Sequence, residues 1–178
     1  MYKLTTPFEK SYWVQPNKLI AGQIPASSHL EDTEEKLNKL IQCNVKAVIN
    51  LMEPNERNRN GELFFDYADY LSRNGVLTHS FPIKDISIPS VETMVSILNC
   101  IDEYMLHDKI IYLHCWGGVG RTGTAVGCYL KQQGLADNAS VFKQIETLKV
   151  NSALSHRNSP ETNEQRNFVI NWNQLQSV

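Results

Sequence analysis

Two rhythms of apolar and polar positions alternate along the chain. Short runs rich in β-branched and aromatic residues recur at Tyr12-Trp13-Val14, Lys18–Gly22, Val45–Leu51, Val76–Phe81 and Lys109–Leu113. Their length and composition predict strands, the first two joined by a turn at Pro16-Asn17. Between them the apolar residues fall at helical spacing. Leu30, Leu37, Leu40 and Ile41 share one face of a helix that ends near Cys43, with Ser28 and Glu31 as a capping box at its start. A helix is expected from Glu62 to Ser72, ended near Gly75. Another runs from a Ser90 cap to about His107, with Val91, Met94, Val95, Leu98 and Met105 inward. Helices are also expected over Thr124–Gln133 and Asn138–Lys149. Ser159-Pro160 opens the last one, a serine cap with proline at the first helical position.

Strands separated by helices predict an α/β fold, a central and mostly parallel sheet flanked by helices on both faces. No repeat or low-complexity linker divides residues 1–178, so one domain is expected. In such a sheet ligands bind beyond the carboxyl ends of the strands. If the strands are parallel, the loops Met52–Asn60, Pro82–Ser90 and Cys115–Arg121 lie along one edge and around one site.

A net charge of −2 gives no general basic surface, so no nucleic-acid partner is expected. No stretch of 18 apolar residues occurs and the first residues lack an apolar core. Neither membrane insertion nor a signal segment is expected, and a cytoplasmic monomer is the default. The cysteines Cys43, Cys100, Cys115 and Cys128 show no paired or metal-like spacing, so three read as packing residues and one as reactive.

The reactive one opens the turn His114-Cys115-Trp116-Gly117-Gly118-Val119-Gly120-Arg121-Thr122-Gly123, set between a predicted strand and a predicted helix. A strand feeding a glycine-rich turn and a helix aims several N–H groups and the positive helix end at one spot, which makes an anion site. A thiol there is expected as the nucleophilic thiolate. Arg121 supplies a planar fork for two oxygens of a tetrahedral dianion, and Gly117, Gly118 and Gly120 let the backbone curl around it. A nucleophile beneath a phosphate-sized cradle of Trp116, Gly117, Gly118, Val119, Gly120 and Arg121 implies phosphoryl transfer to sulfur. A Walker-type nucleotide loop is excluded because no lysine occupies the turn.

The ten residues resemble the signature loop HCxxGxGR[ST]G of the cysteine-dependent protein tyrosine phosphatases, and the short chain their dual-specificity or small atypical branch. The resemblance implies a two-step hydrolysis through a Cys115 thiophosphate, with a general acid on a mobile loop about 30 positions ahead. Asp85, the only carboxylate in Phe81–Pro89, stands there. It further implies that the Thr122 hydroxyl assists the sulfur as leaving group, with a helix-cap threonine as the alternative, and that His114 is structural. It also implies that Gln165, close to the Phe168, Val169 and Trp172 stripe, positions the hydrolytic water, with a partly exposed glutamine bonding backbone as the alternative. No metal or cofactor is called for, since Arg121 and the amides supply the positive field.

Relatives acting on inositol phosphates or phosphoinositides tend to carry lysines inside the loop. The uncharged Trp116–Val119 segment therefore favours a phosphorylated protein or peptide. A non-protein phosphate (inositol phosphate, phosphoinositide or RNA 5′-phosphate) is the alternative, and a phosphoprotein-binding module a further one. Glu53, Glu56, Arg57, Arg59 and Arg157 are candidates to meet a peptide or a second phosphate, or are plain surface.

Overall fold

The computed structural model describes residues 5–175. Strands β1 (Ser11–Gln15), β2 (Leu19–Gly22), β3 (Val45–Asn50), β4 (Leu77–Ser80) and β5 (Ile110–His114) form a five-stranded sheet in the order β1-β2-β5-β3-β4. Only β1 runs antiparallel, to β2; the other pairings are parallel. The helices are α1 (Leu30–Gln42), α2 (Ala68–Arg73), α3 (Val91–Leu106), α4 (Gly120–Gln132), α5 (Val141–Lys149) and α6 (Asn163–Leu175). Every residue of β2, and Ile111 to His114 of β5, is buried. A strand buried at successive positions has both sheet faces covered, as expected of a parallel α/β sheet.

The periodic pattern locates most elements, and side-chain hydrogen bonds decide where they start. Ser90 caps α3, accepting from the Thr93 N–H at 3.1 Å, and Met94, Ile97, Leu98 and Ile101 are its buried face. The capping box expected at Ser28 and Glu31 is absent: His29 precedes α1 with no side-chain cap, and the Ser28 hydroxyl donates to Glu62 at 2.9 Å. Leu30 is consequently exposed, and Thr33 takes the inner place in the first turn.

The helix expected from Glu62 forms only from Ala68. Asn58 Oδ1 accepts from the N–H groups of Asn60 and Glu62, and Gly61 takes φ +79°, so these residues make a tight turn with a short bridge between Arg57 and Leu63. An asparagine side chain that imitates backbone here outweighs helical spacing. Ser159-Pro160 also fails as a helix start. The cap lies three residues on, where Thr162 Oγ1 accepts from the Gln165 N–H at 3.1 Å and Gln165 Oε1 accepts from the Thr162 N–H at 3.2 Å. That reciprocal pair is a capping box.

The carboxyl ends of β5, β3 and β4 are stitched together by backbone bonds. Leu51 N–H donates to the His114 carbonyl at 2.9 Å and Ile83 N–H to the Leu51 carbonyl at 3.1 Å. The three loops foreseen on one edge therefore do meet there.

Candidate active site

Cys115 follows β5 directly and is buried. The chain then turns through Trp116–Val119 and enters α4 at Gly120, four residues ahead of the expected start at Thr124. Arg121 and Thr122 thus stand on the first turn, whose N–H groups have no partner within the helix. Gly118 has φ +72°, and a Cβ there would lie 2.4 Å from the Gly22 carbonyl carbon, so the turn requires glycine for two reasons. It is the only one of Gly117, Gly118 and Gly120 with a positive φ. The Trp116 carbonyl accepts from Ile24 N–H at 3.2 Å and the Val119 carbonyl from the Ser159 hydroxyl at 2.8 Å. In a trans peptide the N–H points opposite to the C=O, so the Gly117 and Gly120 N–H groups face away from these anchors.

Arg121 is only 2% exposed and reaches out of α4 to two other loops. Its Nη1 and Nη2 grip both oxygens of Glu56, Nη2–Oε2 being 3.0 Å. Nη1 also donates to the Ile83 carbonyl at 3.0 Å, and Nη2 lies 2.9 Å from Asp85 Oδ1. Burial alone pushes the guanidinium pKa down. The bidentate bond to Glu56 and the charges of Cys115, Glu56 and Asp85 outweigh it, holding the pKa above its ordinary value. Arg121 Nε is buried without a hydrogen-bond partner, a donor left over for a further oxygen. Asp85 itself is largely exposed, its N–H donating to Glu53 at 3.3 Å. Its neighbour Ile86 is exposed at φ +62°, a strained backbone for a β-branched residue.

A strand–turn–helix joining a buried thiol, an arginine and a rim aspartate is matched from outside the chain. Residues 24–135 fit the family model described as a polymorphic toxin system DSP-PTPase phosphatase. The chain belongs to the cysteine-dependent protein tyrosine phosphatase superfamily, in its atypical, dual-specificity branch. It is 33% identical over 119 residues to protein tyrosine phosphatase domain-containing protein 1 of Danio rerio, covering 61% of this chain but 16% of that protein's length. It is 29% identical over 178 residues to the phosphatidylglycerophosphate phosphatase PTPMT2 of Arabidopsis thaliana, covering 99% of this chain and 68% of that one. The fold matches the crystal structure of Tk-PTP in its active form with TM-score 0.73, 23% identity and coverage of 94% and 97% of the two chains.

Around the phosphatase turn the remaining residues are placed as follows. His114 is wholly buried, its Nδ1 3.1 Å from the Cys115 carbonyl and its Nε2 2.6 Å from the Tyr67 hydroxyl. A carbonyl only accepts, so in the neutral ring Nδ1 carries the proton and Tyr67 donates to Nε2. Burial presses the His114 pKa from 6.5 to about 3; the Cys115 carbonyl opposes this and Arg121 adds to it. Below pH 6.5 the unfolded chain binds a proton that the native chain refuses, so stability falls as pH drops from 6.5 towards 3. We expect a slope of up to ~1.4 kcal/mol per pH unit across that window. Urea midpoints between pH 7 and pH 5 should therefore fall more steeply in wild type than in His114→Asn. Equal slopes would contradict this account.

Thr122 is the third residue of α4 and does not cap it; its hydroxyl is buried with no partner, so the bond to sulfur is not formed in this arrangement. Gln165 is fully buried and is held by backbone at both ends. Its oxygen completes the α6 capping box and accepts from the Glu161 N–H, while Nε2 donates to the Ser87 carbonyl at 3.1 Å. It therefore ties the Asp85 loop to α6 and lies against Gly120. Cys128 is buried in α4 and its thiol is pushed up by burial.

Of the five candidates for a peptide or second phosphate, Glu56 and Glu53 instead hold Arg121 and the Asp85 N–H, and Arg57 closes the 58–61 turn through the Gly61 carbonyl at 2.7 Å. Arg157 pairs with Glu161 at 2.7 Å, and Arg59 lies over the Trp116 ring. Sequence reasoning missed Glu56 as the partner of Arg121. The available signal was an acid in a loop at the carboxyl end of a strand neighbouring β5. Among the described residues no three His, Cys, Asp or Glu side chains gather to hold a metal ion, and no helix is long and apolar enough to cross a membrane.

Proposed function

We propose that the chain hydrolyses phosphomonoesters in two steps at Cys115. The thiolate attacks phosphorus in line, forming the S–P bond as the ester O–P bond breaks, and Asp85 gives its proton to the leaving oxygen. Arg121 and the amides of the turn hold the equatorial oxygens, over which the charge of a loose transition state is spread. Water then attacks the thiophosphate, its proton passes to the Asp85 carboxylate, and sulfur leaves as thiolate, with the Thr122 hydroxyl free to bond it. Gln165 acts by fixing the Asp85 loop through Ser87.

The observation that carries this reading is the Asp85 carboxylate lying 2.9 Å from Arg121 Nη2. A phosphate dianion on the guanidinium takes the place of that carboxylate and releases it above the bowl. Asp85→Asn is expected to lower kcat by ~10²–10⁴-fold on an alkyl phosphate. The loss should be far smaller on p-nitrophenyl phosphate, whose leaving group needs little help. Equal losses on both substrates would remove Asp85 from the proton transfer.

The uncharged Trp116–Val119 segment supports a phosphorylated protein or peptide as substrate. A second reading, a non-protein phosphate, is favoured by cations from other elements, Lys36 of α1 and Arg59 of the loop after β3, which line a recess bordered by Trp116 and Gly117 of the turn. The Arabidopsis relative, a phosphatidylglycerophosphate phosphatase, agrees with the second reading. A pure binding module is disfavoured because thiol, arginine and acid stand together.

A further inference from the structure

A recess of about 560 Å³ opens beside the catalytic turn, with Trp116 and Gly117 in its wall. That volume suits a small ligand. Lys10, Lys36, Arg59 and Arg157 line it together with His156, and no carboxylate does. For a chain with 17 basic and 19 acidic residues this is a marked local departure. The cations come from separate parts of the chain: Lys10 before β1, Lys36 on α1, Arg59 in the loop after β3 and Arg157 ahead of α6.

Their partners are few. Among the described residues, Lys10, Lys36 and Arg59 form no ion pair. Arg157 has one, with Glu161, and that pair is partly exposed. Lys36 is half-buried, its Nζ 3.3 Å from the Ala26 carbonyl. Burial pushes its pKa down; Asp32 and Glu35 on its own helix oppose this, while Lys10 and Lys39 add to it. Arg59 lies 5.6 Å from the centre of the Trp116 ring, which meets Phe64 edge-on. The Trp116 Nε1 is buried with no hydrogen-bond partner. The Cβ direction of Gly117 meets nothing within 4 Å, so the turn is open at this residue of the recess wall.

We propose that this recess is a second anion subsite, which takes a further phosphate or phosphodiester of a small polyol headgroup whose phosphomonoester lies on Cys115 and Arg121. The proposal rests on the phosphomonoesterase reading above and names its substrate class. Cations set around a cavity suit a tetrahedral polyanion, which offers oxygens on every side, whereas a single acidic side chain is satisfied by one arginine fork. A lipid headgroup and a soluble polyol phosphate share this chemistry.

The test compares inositol bisphosphate with inositol monophosphate. Wild type should show a kcat/KM ratio favouring the bisphosphate by tenfold or more, and Arg59→Ala and Lys36→Met should each cut that ratio several-fold, chiefly through KM. Arg59 is exposed, so its variant keeps the measurement available if Lys36→Met folds poorly. Calorimetry on Cys115→Ser protein reads the same preference without turnover, as tighter binding of the bisphosphate than of inorganic phosphate. Activity on phosphatidylglycerophosphate in phosphatidylcholine vesicles, set against the soluble bisphosphate, separates the lipid source from the free one. A ratio near one in wild type, a ratio unmoved by the variants, or a preference for phosphotyrosine peptides would overturn the subsite. Failure of wild type to cleave p-nitrophenyl phosphate, with bisphosphate binding intact, would instead overturn the catalytic reading.

Discussion

Cys115→Ser should lower kcat on p-nitrophenyl phosphate by about 10⁴-fold or more while phosphate binding persists. The change replaces one atom in a buried position and leaves Arg121, Glu56 and the turn in place. A serine hydroxyl remains protonated at neutral pH and is a far weaker nucleophile, so the S–P bond has no counterpart that forms at a useful rate. The anion site, by contrast, is made of backbone and guanidinium, none of which the substitution touches. Steady-state kinetics gives the loss, and calorimetric titration with inorganic phosphate gives the retained affinity. Intact-protein mass after rapid quenching should show a phosphorylated species in wild type only. Residual activity above about 1% of wild type would mean that phosphorus never passes through this sulfur.

Arg121→Lys should lower kcat/KM by roughly 10³-fold, because an ammonium holds one oxygen where the fork holds two and cannot keep the grip on Glu56. The residue also has a structural consequence. The Glu56 side chain is only 15% exposed and has its two oxygens on Arg121. Arg121→Met leaves that largely buried carboxylate without a cation, a loss of about 3–5 kcal/mol in urea unfolding. Adding Glu56→Gln to Arg121→Met should restore part of the stability but none of the activity. Such a split, read from a double-mutant cycle, separates the structural work of the pair from the chemical work of the arginine. Additive stability losses would show that Glu56 and Arg121 act independently.

The two departures from the periodic pattern share a cause. Spacing and single residue types favour helix at Glu62–Ser72 and a helix start at Ser159-Pro160, while Asn58 and Thr162 settle the structure through specific hydrogen bonds. Gln165 illustrates the same physics: its bonds to Thr162, Glu161 and Ser87 tie α6 to the Asp85 loop, and they place its amide against Gly120 of the turn.

By itself the sequence determined what ten consecutive residues can encode: a buried strand, a glycine turn, a helix, and a thiol and guanidinium at fixed separation on them. It also determined the sheet class, since strand and helix periods alternate, and hence the edge on which the site lies. Only the tertiary structure decided that Glu56, 65 positions away, grips Arg121, that Tyr67 orients His114, and that Lys36, Arg59 and Arg157 close around one recess. Those pairings depend on how loops from different strands cross in space, and no local period carries that information.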